Sequence, residues 1–236
     1  MGMFVLIHGA WHGGWCWSRV VERLRAKGHT VFAPSLSGLA EHGHRIDAAI
    51  GHGHHIEDAT RVIEWNDLKD VVLVGHSYGG LVVTGTAAGR ARLKIKHLVI
   101  LDGSSPLSGQ SMLDIALPRV RESFTTGIKD GLMALPSMEA MGVVDPADIA
   151  WVSARLTPQP ARTFQEPLVY DESKLAGLPK TFIRCTGVNG ERGMSTTATR
   201  LKSLPDWSFH ELATGHDAMV TMPDELTALL ITAAGR

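Results

Sequence analysis

The sequence predicts an α/β chain: a mostly parallel, doubly wound, six-stranded sheet under a small helical cap. Three observations predict it. Six short apolar runs alternate with helix-period segments along 236 residues. The first five runs are continuous rather than alternating, as in strands buried on both faces. One long stretch, 105–178, breaks the alternation and holds helical patterns without a readable strand.

The elements follow in order. FVLIH (4–8) is the first run. Trp17, Val20, Val21 and Leu24 then recur at helical spacing on one face, and Gly28 suits the helix end. TVFAP (30–34) is the second run, followed by a helical segment over 54–65. VVLVGH (71–76) is the third, leading into a helix over 80–90. HLVILD (97–102) is the fourth. After the 105–178 insertion come TFIRCT (181–186), a helix over 196–204, WSFHELA (207–213) and a helix over 223–234. The last run mixes in polar residues, which places it at a sheet edge. The insertion carries Met133, Met138, Met141, Trp151, Phe164 and seven prolines. Its length and position predict a cap over a site within one domain spanning 1–236.

Composition excludes several classes of function. The formal net charge is -1 and no long basic run exists, so neither nucleic acid nor an anionic membrane is an expected partner. No apolar run approaches the roughly 18 residues of a membrane span. MGMFVLIHGAW enters an apolar run with no basic leader, so no signal peptide is expected, and Leu6 stands where myristoylation needs Ser or Thr. Cys16 and Cys185 are too few and too far apart for a disulfide framework or a metal motif, so a cytoplasmic setting is expected. A homodimer is left open.

VVLVGHSYGG carries the chemistry. Gly75-x-Ser77-x-Gly79 directly follows a buried run and opens a helix rich in small residues. That context suits a sharp strand-to-helix turn that projects the Ser77 hydroxyl, with glycines where side chains would collide. A serine needs a base. His216, in ELATGHDAM, follows the last run and a Thr-Gly pair. His210 lies within that run, and His76 is next to Ser77 and should point away from it. The oxyanion of an acyl-transfer intermediate needs two N–H donors. Tyr78, after the nucleophile, offers one; Ala10, in HGAWHGGW after the first run, is the best second. No phosphate-binding glycine motif is met there.

FVLIHGAWHGGWCW, VVLVGHSYGG and ELATGHDAM together resemble the α/β-hydrolase superfamily, in particular the branch of plant methyl-salicylate esterases, hydroxynitrile lyases and many bacterial esterases. The resemblance covers nearly the whole chain. It implies the α/β-hydrolase fold and a serine esterase without cofactor, with Ser77 as nucleophile, His216 as base and the Ala10 and Tyr78 N–H groups as oxyanion hole. It also implies ester hydrolysis over cyanohydrin cleavage. The lyases of this branch place a lysine after the catalytic histidine and a threonine in the oxyanion loop, where this chain has Asp217 and Ala10.

The triad acid departs from the pattern. The family usually places an aspartate after the run that here reads TFIRCT, and GVNGERGMS contains none. Asp102, ending the fourth run, is the favoured acid, as in certain haloalkane dehalogenases whose Asp-x-x-x-Pro resembles Asp102 to Pro106. Glu191 is the alternative, and Asn189 could orient the imidazole without charge. Asp217 is a poor candidate, because side chains of adjacent residues diverge. The apolar cap suggests moderately hydrophobic ester or lactone substrates, with Trp11, Met133, Trp151 and Met219 as candidate contacts. The histidines at 42, 44, 52, 54 and 55 read as a surface loop rather than a metal site. Two other functions stay open: a small-molecule-binding protein with an impaired triad, and a lyase or C–C hydrolase at the same serine.

Overall fold

The computed structural model describes residues 1–187 and 195–235. The main strands are β1 (Met3–Ile7), β2 (Thr30–Phe32), β3 (Val71–His76) and β4 (Ile95–Leu101). Three two-residue strands follow, β5 (Ile128–Lys129), β6 (Leu132–Met133) and β7 (Gln159–Pro160), then β8 (Lys180–Cys185) and β9 (Trp207–Leu212). Six of them form one sheet in the order β2-β1-β3-β4-β8-β9, parallel throughout. The helices are α1 (Ser18–Ala26), α2 (His52–Trp65), α3 (Gly79–Ala88), α4 (Met112–Ile115), α5 (Pro118–Thr126), α6 (Pro146–Ser153), α7 (Arg162–Gln165), α8 (Ser195–Lys202), α9 (Ala218–Thr221) and α10 (Pro223–Ala234).

The continuous apolar runs have a direct cause. Successive side chains of a strand point to opposite faces, and here both faces are covered. Val5, Ile7, Leu73, Ile100 and Phe182 pack with α2, α3 and α8 through Ala59, Ile63, Leu81 and Leu201. Phe4, Leu6, Val74, Val99 and Ile183 pack on the other face with α1 and α10 through Val20, Leu24, Leu226 and Leu230. β9 is an edge strand and only half-buried, which explains its polar residues.

The insertion differs from its reading in one respect. It contains strands: β5, β6 and β7 pair antiparallel in a separate small sheet. Two-residue strands are too short to show a period-2 pattern, so the sequence gives no sign of them. The remaining elements begin or end within a few residues of their expected bounds.

The sheet order also positions the site. From β1 the chain goes outward to β2, then crosses back to β3 on the other side of β1. The crevice beyond the carboxyl ends of β1 and β3 is therefore the topological switch point, where open α/β sheets bind ligands.

Candidate active site

Ser77 lies at that switch point, between the end of β3 and the start of α3. Its φ is 53°, a left-handed conformation for a non-glycine residue, and such conformations cost on the order of 1–3 kcal/mol. The surrounding backbone holds it there. Ser77 N–H donates to Leu101 O at 3.0 Å, while Ser77 O accepts from Gly80 and Ser104 N–H, both at 3.0 Å. The glycines are required by close approach. A Cβ at Gly75 would run into the Gly79 carbonyl, and one at Gly79 would lie 2.7 Å from His8 O.

The loop after β1 presses on this turn. A Cβ built on Gly9 would lie 2.9 Å from Ser77 Cβ. Ala10 follows Gly9 directly in the chain, as Tyr78 follows Ser77. The peptides of this loop are fixed by side chains. His8 Nε2 accepts from Leu36 N–H at 3.0 Å, so its proton is on Nδ1, which donates to Gly9 O at 2.7 Å. Burial holds His8 down to about 3, in keeping with this neutral tautomer. Trp11, with φ 64°, donates its N–H to Gln159 Oε1 at 3.1 Å.

His216 is carried by the loop after β9. Its N–H donates to Met141 O at 2.9 Å, and its O accepts from His76 Nε2 at 3.0 Å. Its Nδ1 meets Asp102 Oδ2 at 2.6 Å. Asp102 ends β4 with φ 40°, and its other oxygen accepts from Cys185 N–H at 3.1 Å. The carboxylate is thus engaged on both oxygens and only 8% exposed in its side chain, against 13% for His216. Burial alone would push the His216 imidazole below its ordinary value. The hydrogen bond and charge of Asp102, with a smaller contribution from Asp217, outweigh it and raise the pKa.

Ser77, His216 and Trp11 line one cavity of about 480 Å³. Its other walls come from the insertion: Met112, Phe124, Leu135, Met141 and Phe164 are apolar, and Arg119, Ser123 and Ser137 add polar groups. The Phe124 ring stands edge-on to Phe164 at 5.1 Å and tilted against Trp11 at 6.0 Å. Tyr78 lies beneath, stacked on Phe164 at 5.5 Å, with its hydroxyl 2.8 Å from His55 Nδ1.

The expected site residues divide accordingly. Ser77, His216 and Trp11 line the cavity, Asp102 bonds His216, and Ala10 and Tyr78 are the chain neighbours of Trp11 and Ser77. Met133, Trp151 and Met219 are absent from its described lining. Met133 sits in strand β6, buried against the core. Met219 is fully buried in α9 on the opposite face of the sheet. Trp151 packs edge-on against Trp15 at 5.1 Å and takes the guanidinium of Arg155 over its ring. Long apolar side chains of a cap also fill the cap's own core, and composition does not tell the two apart. Glu191 and Asn189 lie outside the described residues. Of the five clustered histidines, His55 is a core residue donating Nε2–H to Ser37 O at 3.0 Å, and His54 caps α2 by accepting from Gly51 N–H. His42 and His44 are exposed. The sequence reading missed Phe124, although it is the one aromatic residue between 105 and 150.

A family profile described as "Alpha/beta hydrolase family" matches residues 4–229. The chain belongs to the alpha/beta hydrolase family. Among its relatives is the carbendazim hydrolyzing esterase of Nocardioides sp. (strain SG-4G), 37% identical over 98% of both chains. Esterase PIR7B of Oryza sativa subsp. japonica is 27% identical, over 99% of this chain and 96% of its own. Among solved structures, an extracellular alpha/beta-hydrolase from a Paenibacillus species superposes with a TM-score of 0.86 at 26% identity, over 99% of each chain. That enzyme is described as sharing structural and functional homology with tobacco salicylic acid binding protein 2. Among the described residues no helix is long and apolar enough to cross a membrane.

Proposed function

We propose that this chain hydrolyses carboxylic esters of small to medium, moderately hydrophobic molecules, lactones included, through an acyl-enzyme on Ser77. It is a hydrolase of the carboxylesterase type, in line with the esterases among its full-length relatives. The observation that carries the mechanism is the 2.6 Å bond between His216 Nδ1 and Asp102, in the cavity that also holds Ser77 in its strained turn. With Nδ1–H committed to Asp102, Nε2 is the nitrogen left to act as base.

Ser77 Oγ bonds to the ester carbonyl carbon as His216 Nε2 takes its proton. The oxyanion is held by Ala10 and Tyr78 N–H. The alcohol leaves with the proton from His216. Water then attacks the acyl-enzyme and gives its proton to His216, which returns it to Ser77 as the acid departs. The chain needs no cofactor for these steps. All the residues given these roles belong to one chain, and the homodimer stays open. We take 105–178 as a cap within a single domain. Cys16 and Cys185 are buried free thiols, which suits a cytoplasmic setting.

A binding-only reading drew its support from the missing aspartate after β8. Asp102 supplies a carboxylate to His216 from β4 instead, which favours catalysis. Steady-state hydrolysis of short- and medium-chain p-nitrophenyl esters tests the proposal. Wild type should turn over, and Ser77→Ala should lose at least about 10⁴-fold in kcat. A wild type inert on every ester, or a Ser77→Ala variant of equal activity, would sink it.

A further inference from the structure

Beside the Asp102–His216 pair lies another histidine and another aspartate that the mechanism does not use. Asp217, the residue after the proposed base, is fully buried, and so is His12 of the loop after β1. His12 Nε2 lies 3.2 Å from Asp217 Oδ2, and His12 Nδ1 lies 2.8 Å from Ala10 O. The carbonyl can only accept, and so can an ionised carboxylate. With Asp217 ionised, both ring nitrogens of His12 donate, which makes it an imidazolium facing a carboxylate, both side chains fully buried.

We propose that His12 and Asp217 form a second, buried His–Asp ion pair that positions the catalytic groups, holding the oxyanion loop against the loop of the general base. The geometry assigns each end. His12 Nδ1–H fixes the carbonyl of Ala10, whose N–H is the proposed oxyanion donor. Asp217 is bonded in chain to His216. His76 completes the frame: its Nε2–H donates to His216 O, the same Nε2 lies 3.8 Å from Asp217 Oδ1, and its ring lies 4.6 Å from the His216 ring. The loops after β1 and β9 and the end of β3 are thus held together. Two charges are costly to bury, and their service here is to fix relative position. For Asp217, burial works against the charged form, but the charge and hydrogen bond of His12 prevail and hold its carboxyl well below the usual range.

Neither residue lines the cavity, so both act through others. The inference rests on the serine-esterase reading, and the tests separate the two. In wild type, ¹⁵N NMR of the His12 ring at pH 8 should show both nitrogens protonated; a neutral imidazole would overturn the ion pair, whatever the enzyme's activity. Asp217→Asn should lower kcat by about 10–10²-fold, the cost of a small misplacement of catalytic groups, with KM within about twofold. An aryl trifluoromethyl ketone, whose adduct with Ser77 carries an oxyanion, should lose affinity in parallel, while the matching carboxylic acid product should not. Unchanged kcat and ketone affinity in a folded Asp217→Asn variant would refute the positioning role. If that variant does not fold, the NMR result on wild type decides. If wild type neither hydrolyses esters nor binds the ketone, the esterase reading falls and the ion pair is judged by NMR alone.

Discussion

At the scale of single residues, the proposed base His216 gives the expected pH dependence. A general base works unprotonated, and an ordinary imidazole titrates near about 6.5. Burial lowers this one, Asp102 raises it further, and the net shift is upward. The acid limb of kcat/KM should therefore lie above the ordinary histidine value. Asp102→Asn removes the raising influence and leaves burial in charge, so the limb should move to lower pH. The maximal rate should fall by about 10⁴, because an amide neither enforces the tautomer nor stabilises the imidazolium. A pH–rate profile of both proteins checks the two effects at once. Retention of wild-type kcat by Asp102→Asn would reassign the acid. The sequence already singled out Ser77 and His216 by their surroundings. For the acid it favoured Asp102 and kept Glu191 as the alternative, since a carboxylate ending an apolar strand and one in a later loop can each reach a histidine.

At the scale of elements, the turn between β3 and α3 stores the strain that projects Ser77. Gly75 allows it, because the Gly79 carbonyl occupies the space of a Cβ there. Gly75→Ala should cost about 2–4 kcal/mol of stability as an overpacked, displaced turn, and the remaining folded protein should hydrolyse esters at least tenfold more slowly. Chemical denaturation and initial rates measure both. A stable, fully active Gly75→Ala would mean that the turn is looser than its contacts imply. Gly215 plays a similar part between two loops. A Cβ there would strike the carbonyl of Gly142, in the insertion, where His216 N–H also bonds Met141 O. The base loop is thus seated on the cap. The glycines of the serine turn were legible because they fall at fixed offsets from a buried run. Gly215 carried no such signal, since its partner lies 73 residues earlier in the chain.

At the scale of the whole molecule, the insertion between β4 and β8 supplies most of the cavity wall, so substitutions there should change the proposed specificity. Phe124→Ala should enlarge the cavity and raise kcat/KM for octanoate relative to butyrate p-nitrophenyl esters by about tenfold. Met133→Ala should instead cost about 2–5 kcal/mol of stability with little change in that ratio, because Met133 sits in the core. A chain-length series with thermal or denaturant melts distinguishes the two. An unchanged ratio in Phe124→Ala would remove that ring from the substrate wall.

By itself the sequence determined the α/β layering, the edge position of the last strand, the serine turn and the histidine loop. Each is a local pattern: the period of apolar residues, the offsets of glycines, the punctuation before a loop. Only the tertiary structure decided which carboxylate holds His216, which cap side chains face the cavity, and that His12 meets Asp217 from 205 residues away. Those are facts of long-range packing. A side chain's type says what it can bond to, but the crossing of strands at the switch point brings its partner within reach.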